Sequence, residues 1–346
     1  MIGATDVFDL ALQNGVSFKH LNYALRPNAR KRSSQRLNKE VLMINATATA
    51  APQIRSAKGP FFKNILVATD FSPASDQAVE YAASFARRYG SAIYLTHVVT
   101  LDGYPLISPE YAAMSLKKKH ADVQTHFCQI LKSGELTGIP FKTVAKEGNL
   151  WPTIEESIKT FDIDLVIVGT HGASAVEKML MGSSAEEIFR KAQVPVLTIG
   201  PVAKKEPWYE MEFKNILFAT DFGKSAEREA EYAFSLAQEH RSRLTLLHVF
   251  PNSEAVNKEE LIEMEHSFYA QLRELVPVVT EMHSKVEVRV VFGEPTEQIL
   301  RIAKDTKAEL IVMGAKARKS LAGNVPHTKA YRVVCEAHCP VLTIRS

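Results

Sequence analysis

The sequence predicts two tandem α/β domains, each a doubly wound five-stranded parallel sheet with helices on both faces, a three-layer α/β/α arrangement. Three observations predict it. The chain has 346 residues, a length that suits two domains of common size. It also repeats itself. Phe62-Lys63-Asn64-Ile65-Leu66, continued by Ala68-Thr69-Asp70-Phe71, returns as Phe213-Lys214-Asn215-Ile216-Leu217 and Ala219-Thr220-Asp221-Phe222; Val194-Pro195-Val196-Leu197-Thr198-Ile199 recurs as Cys339-Pro340-Val341-Leu342-Thr343-Ile344. Within each copy, short apolar runs alternate with segments of helical period, the pattern of a parallel sheet. The repeat places the domains at 60–200 and 211–346.

In the first copy, Asn64–Ala68 is an apolar run of the buried parallel type. Ser75–Tyr89 has helical spacing through Val79, Ala82, Ala83, Phe85 and Ala86. Ala92–Val98 reads as a second strand, Pro109–Leu136 as a long amphipathic helix and Phe141–Ala145 as a third strand. Pro152–Thr160 is helical, Asp164–Gly169 a fourth strand, Ser183–Ala192 a helix and Val194–Ile199 the last strand. The second copy gives the same order, with strands near 215–219, 244–249, 286–291, 309–313 and 340–344. In such sheets ligands sit beyond the carboxyl ends of the strands, where Asp70, Val98 and Gly169 fall. The last strand of each copy is a short apolar sheet edge, and a bare edge invites pairing. Val194–Ile199 and Val341–Ile344 are expected to pair with each other, giving an intrachain pseudo-dimer; a homodimer of whole chains stays open.

Residues 1–58 hold nine Lys/Arg against Asp6, Asp9 and Glu40, or +6, so the remaining residues carry 3 − 6 = −3. The basic Arg30-Lys31-Arg32-Ser33-Ser34-Gln35-Arg36 and the small-residue run 45–51 lack a sustained apolar period, so 1–58 is expected to be a mostly disordered extension. No aromatics interleave with its charges as on base-stacking surfaces, which argues for a solvated tail rather than a nucleic-acid binder. Met43 is a second candidate start. No apolar run approaches the roughly 18 residues of a membrane span, and no basic-then-apolar leader opens the chain. Three cysteines do not make a disulfide framework, and Cys335 and Cys339 alone make a poor metal site. These features fit a reducing cytoplasm, with no membrane partner.

The strongest functional signal is Gly169-Thr170-His171-Gly172, nine further residues, then Gly182-Ser183-Ser184. It runs from the end of an apolar strand to the start of a helix. Glycine allows close backbone approach, a helix N-terminus presents unpaired N–H groups, and two hydroxyls add donors, all suited to phosphate. A glycine turn followed by a serine N-cap is the bland alternative.

The spacing Gly-x2-Gly-x9-Gly-Ser resembles the ATP-binding signature of the universal stress protein family. The Ala68-Thr69-Asp70 strand end, Leu95-Thr96-His97-Val98 and the Pro195-Val196-Leu197 ending add to the likeness, which covers both copies. The chain is similar to a tandem member of that family, within the adenine-nucleotide α-hydrolase-like group. The resemblance implies strand order 3-2-1-4-5, pairing of the domains through their last strands, and ATP in the first copy. It implies Asp70 at the ribose, the Val98 backbone at the adenine, and Gly169, Gly172, Gly182, Ser183 and Ser184 around the phosphates. Any Mg²⁺ would arrive with the nucleotide, held mainly by its phosphates. Relatives often carry Arg and Gly where this chain has Ala173 and Ala175.

The second copy has lost the signature. Gly169 aligns with Gly314, but Gly172 with Ala317, Gly182 with His327 and Ser183 with Thr328. Pro326 removes a further donor. Lys316, Arg318 and Lys319 add charge, yet this copy reads as a poor ATP site. Asp221, the counterpart of Asp70, reads as a helix cap. His97 and His248 are equivalent strand-end residues of structural type, and the spacing offers no nucleophile–base pair. Walker and dinucleotide fingerprints are missing. The resemblance implies a stress-response regulator binding ATP in the first repeat with little or no turnover; the eroded second copy leaves open a nucleotide-independent interaction module working through self-association and an unidentified protein partner.

Overall fold

The computed structural model describes residues 44–45, 62–100, 109–170, 181–200, 212–250, 258–276, 285–315 and 328–345. After a two-residue strand β1 (Ile44–Asn45), the first repeat comprises β2 (Asn64–Ala68), α1 (Pro73–Tyr89), β3 (Ala92–Val99), α2 (Pro109–Lys132) and β4 (Phe141–Glu147), then α3 (Leu150–Thr160), β5 (Leu165–Gly169), α4 (Ser183–Lys191) and β6 (Val196–Ile199). The second comprises β7 (Asn215–Ala219), α5 (Ala226–His240), β8 (Arg243–Phe250), α6 (Lys258–Glu274) and β9 (Val286–Phe292), then α7 (Pro295–Asp305), β10 (Leu310–Ala315), α8 (Lys329–Glu336) and β11 (Val341–Arg345).

The eleven strands among the described residues form one sheet, ordered β1-β9-β8-β7-β10-β11-β6-β5-β2-β3-β4. Counted within each repeat, the order is 3-2-1-4-5, as expected, and those strands run parallel. The repeats join edge to edge through β6 and β11, which pair antiparallel. Leu197 faces Leu342 across that seam, so a pseudo-twofold axis passes between two equivalent residues. On either side the threonines cross: Thr198 Oγ1 donates to the Val341 carbonyl at 3.0 Å, and Thr343 Oγ1 to the Val196 carbonyl at 3.2 Å. The apolar edge foreseen from the sequence is thereby closed.

Strand side chains alternate between two buried layers. Ile65, Val67, Ile216 and Phe218 pack on the side of α1, α2, α5 and α6, while Leu66, Leu217 and Ala219 pack on the side of α3, α4, α7 and α8. Burial on both faces explains why these strands read as continuous apolar runs rather than alternating ones. Each layer of core runs through both repeats without interruption.

Local chemistry sets the helix ends. Pro73 opens α1 behind Ser72, whose Oγ accepts from the Ser75 N–H at 3.3 Å, and Gly90 closes it at φ 68°. The helix therefore begins two residues before Ser75. Helix α2 stops at Lys132 rather than Leu136 because the chain turns at Gly134, φ 83°. Ile44–Asn45 add antiparallel to β9, opposite Val288 and Glu287. The rest of the extension expected to be disordered lies outside the described residues. Among the described residues no helix is long and apolar enough to cross a membrane.

Candidate functional site

At the carboxyl ends of β2, β3 and β5, where the first repeat's strand order reverses, the surface opens into a cleft of about 430 Å³. Asp70, Val98, Gly169, Gly182, Ser183 and Ser184 all line it. The fold thus gathers six of the seven site residues anticipated from the sequence, drawn from segments over a hundred positions apart. Gly172 lies outside the described residues, as do His171, Ala173 and Ala175.

Each wall has a physical origin. Gly169 is required by packing: a Cβ there would lie 2.4 Å from the carbonyl oxygen of Ala74, the second residue of α1. The glycine therefore lets a helix approach the strand end, a different reason from the phosphate contact suggested by the motif. Gly182 takes φ −58° and ψ 147°, which any residue adopts, so backbone freedom does not require glycine there. It sits at the N-cap of α4 and supplies no side-chain cap to the first-turn N–H groups, which a helix cannot pair internally. Asp70 Oδ1 accepts from the Ser72 N–H at 3.1 Å, a local turn that aims the carboxylate at the strand end.

Three further lining residues, Phe71, Lys119 and His126, escaped sequence reasoning. Phe71 holds a left-handed φ of 61°, its N–H donating to Thr69 Oγ1 at 3.0 Å. Its ring lies between the imidazoles of His97 and His126, with centroids 4.6 Å away on each side. Lys119 of α2 brings a cation to the wall, Nζ donating to the Thr100 carbonyl at 3.1 Å. The recurrence of Asp-Phe in both copies was the one visible trace of Phe71. Lys119 and His126 belong to a helix whose approach only tertiary packing sets.

His97 is structural: Nδ1 donates to the Thr69 carbonyl at 2.8 Å, and burial lowers its pKa. His248 repeats this at Thr220, again 2.8 Å, with its pKa also lowered by burial. Cys335 and Cys339 are buried free thiols, and the described residues contain no cluster able to hold a metal ion.

Comparison with known proteins settles the family. The sequence model of the universal stress protein family matches residues 61–200 and again 212–345. The chain belongs to that family. A universal stress protein of Mycolicibacterium smegmatis is 26% identical over 290 residues, covering 81% of this chain and 96% of its own. Universal stress protein A of Escherichia coli K12 is 32% identical over 142 residues, 40% of this chain and 94% of its own. The crystal structure of a universal stress protein from Archaeoglobus fulgidus DSM 4304 shares the fold over 82% of this chain and 98% of its own, at 22% identity and a TM-score of 0.57.

The second universal stress protein repeat has a different strand end. Gly314, the counterpart of Gly169, is backed by the carboxylate of Glu229, whose Oε1 would lie 2.2 Å from a Cβ there. Glu229 is 2% exposed and accepts from Ser225 Oγ at 2.5 Å. The first repeat has buried Ala78 at that position. Helix α8 is self-capped, Thr328 Oγ1 accepting from the Tyr331 N–H at 3.2 Å, where α4 has no such cap. Phe268 packs on His248, Phe222 and Phe250, with ring centroids 4.3, 6.0 and 5.3 Å away. Asp221 accepts from the Gly223 N–H at 2.9 Å, a turn rather than the expected helix cap.

Proposed function

We propose that the first repeat binds an adenine nucleotide, ATP, and that the protein acts as a nucleotide-responsive regulator in a stress response with little or no turnover. The observation that carries this reading is the start of α4, which has no side-chain cap from Gly182, lining the same cleft as Asp70 and the end of β3. A helix N-terminus without its own cap favours an anion there. The cleft falls within the range of small-molecule sites, on the order of 300–1,000 Å³. Asp70 would accept from ribose hydroxyls, the Val98 backbone would meet the base, and Gly169, Gly172, Gly182, Ser183 and Ser184 would surround the phosphates. Lys119 would supply the cation that Ala173 does not. Mg²⁺ would come with the phosphates.

Little or no turnover is part of the proposal: hydrolysis needs a base positioned on the attacking water, and the reading assigns that role to no residue. The second repeat would bind ATP poorly: a buried carboxylate at the strand end repels phosphate, and Thr328 already uses the helix N-terminus. A cytoplasmic protein working as an intrachain pseudo-dimer is consistent with this picture.

The test is mass spectrometry of small molecules released by denaturing the purified chain, beside Gly182→His. ATP or ADP from the wild type alone supports the reading. A wild type that remains empty after incubation with Mg-ATP rejects it in favour of the interaction module.

A further inference from the structure

Helix α4, whose first turn forms one wall of the cleft, is held at both ends by the second repeat. At its start, the N–H of Met181 donates to Tyr331 Oη at 3.2 Å, with both residues buried. The Tyr331 ring also meets Phe189 edge-on, centroids 6.4 Å apart. At the far end, the guanidinium of Arg345 donates to the carbonyls of Phe189 and Arg190. These are last-turn carbonyls that a helix cannot pair internally. Arg345 is in turn fixed by its own carbonyl, which accepts from Arg228 at 3.4 Å.

Among the described residues the support runs one way. Counting from the matching C-caps Ala192 and Ala337, the counterpart of Tyr331 is Glu186 and that of Arg345 is Gly200. Glu186 is paired along its own helix with Arg190 at 2.6 Å. Gly200 has no side chain, and a Cβ there would come within 3.2 Å of the Ala337 carbonyl oxygen. Neither residue can return the contact.

We propose that Tyr331 is a positioning residue for the anion-binding end of α4, so that ligand occupancy of the first repeat is linked to the packing of the second. The linkage rests on the nucleotide reading above; the clamp on Met181 does not. Met181 directly precedes Gly182, whose N–H donates to the Thr170 carbonyl at 2.6 Å. Fixing this pair orders the peptide planes that lead into the first turn before any ligand arrives. A ligand then loses less conformational freedom in the protein when it binds. Linkage is reciprocal: whatever Tyr331 adds to ligand affinity, bound ligand must add to the Tyr331 contact. The second repeat, having lost its own signature, serves as part of the first repeat's site.

The experiment uses the full chain and Tyr331→Phe, which removes the hydroxyl and keeps the ring on Phe189. Amide hydrogen exchange without ligand is expected to speed up at Met181 and the first turn of α4, on the order of tenfold for one lost buried hydrogen bond. Unchanged exchange there overturns the clamp, whatever the cleft binds. Calorimetric titration with Mg-ATP should then show a comparable weakening in Tyr331→Phe. The control Phe268→Leu, which loosens the second repeat on the opposite face of the sheet, should keep wild-type affinity. Saturating Mg-ATP should slow exchange around Tyr331 in the wild type only. Faster exchange with unaltered affinity overturns the linkage. A wild type that takes no Mg-ATP overturns the nucleotide reading and the linkage together, while the exchange result still decides the clamp.

Discussion

Tyr89 Oη and His240 Nε2 lie 3.1 Å apart across the boundary between the repeats, although the two residues hold the same position in them, 151 apart in sequence. Their neighbours do the same. Arg88 and Glu239, also equivalent, form an ion pair of 3.6 Å, and Arg88 donates to the Glu239 carbonyl. Across a true twofold axis between identical chains, such a residue meets its own copy, so arginine would face arginine. Inside one chain the two copies differ, so the pairs across the axis are complementary rather than alike. This part of the difference between the repeats concerns pairing rather than ligand.

The buried imidazole makes the protein sensitive to acid. The Phe213 N–H donates to His240 Nδ1 at 3.4 Å, which places the ring proton on Nε2. Burial, and then the charge of Arg88, push its pKa from 6.5 down to about 3. Below pH 6.5 the unfolded chain takes up a proton that the folded chain refuses. This contribution is therefore complete above that pH and is lost as pH falls towards 3, at about 1 kcal/mol per pH unit. Thermal melts of the wild type should fall steadily from pH 6.5 to 4. His240→Gln should start lower at pH 7 and fall less steeply; parallel slopes would contradict the assignment.

Arg241 closes α5 in the left-handed region at φ 52°, where the equivalent residue closing α1 is Gly90. A side chain costs about 1 kcal/mol there, offset in part by the entropy a glycine loses. Arg241→Gly is expected to raise stability by roughly 0.5–1 kcal/mol in urea unfolding. A loss of stability would mean that the Arg241 side chain makes a compensating contact.

Gly169 and Gly314 should respond differently to alanine. At Gly169 the new methyl meets the backbone of Ala74, which cannot give without moving α1. A loss of about 1–3 kcal/mol or more is expected. At Gly314 the obstacle is the end of the Glu229 side chain, which can rotate, so the loss should be smaller. Equal losses in the two variants would count against the packing explanation.

Two residues of the N-terminal extension belong to the sheet. Removal of residues 1–42 should leave the thermal midpoint unchanged. Removal of 1–58 takes away β1 and bares the edge of β9, at a cost of about 1 kcal/mol for a two-residue ladder. Indistinguishable midpoints for the two truncations would show that Ile44–Asn45 contribute nothing to stability.

Much of the fold was legible because its causes are local or repeated. A strand buried on both faces must be apolar throughout, so β2, β5, β7 and β10 announce themselves within five or six residues. A short apolar edge must be covered, and the matching ends Val196–Ile199 and Val341–Ile344 identified its cover. Helix limits were blurred where a proline or an αL glycine, rather than the apolar period, sets the end, as at Pro73 and Gly134.

The sequence by itself determined the tandem architecture, the edge pairing and the asymmetry of the two glycine loops, because periodicity and internal repetition lie along the chain. The tertiary structure alone decided why Gly169 must be glycine, that Phe71 stands between two imidazoles, that Lys119 reaches the cleft, and that Tyr331 holds Met181. Those four depend on how segments far apart in sequence pack together. Such contacts are set by the shape of the folded core and leave no periodic trace in the order of residues.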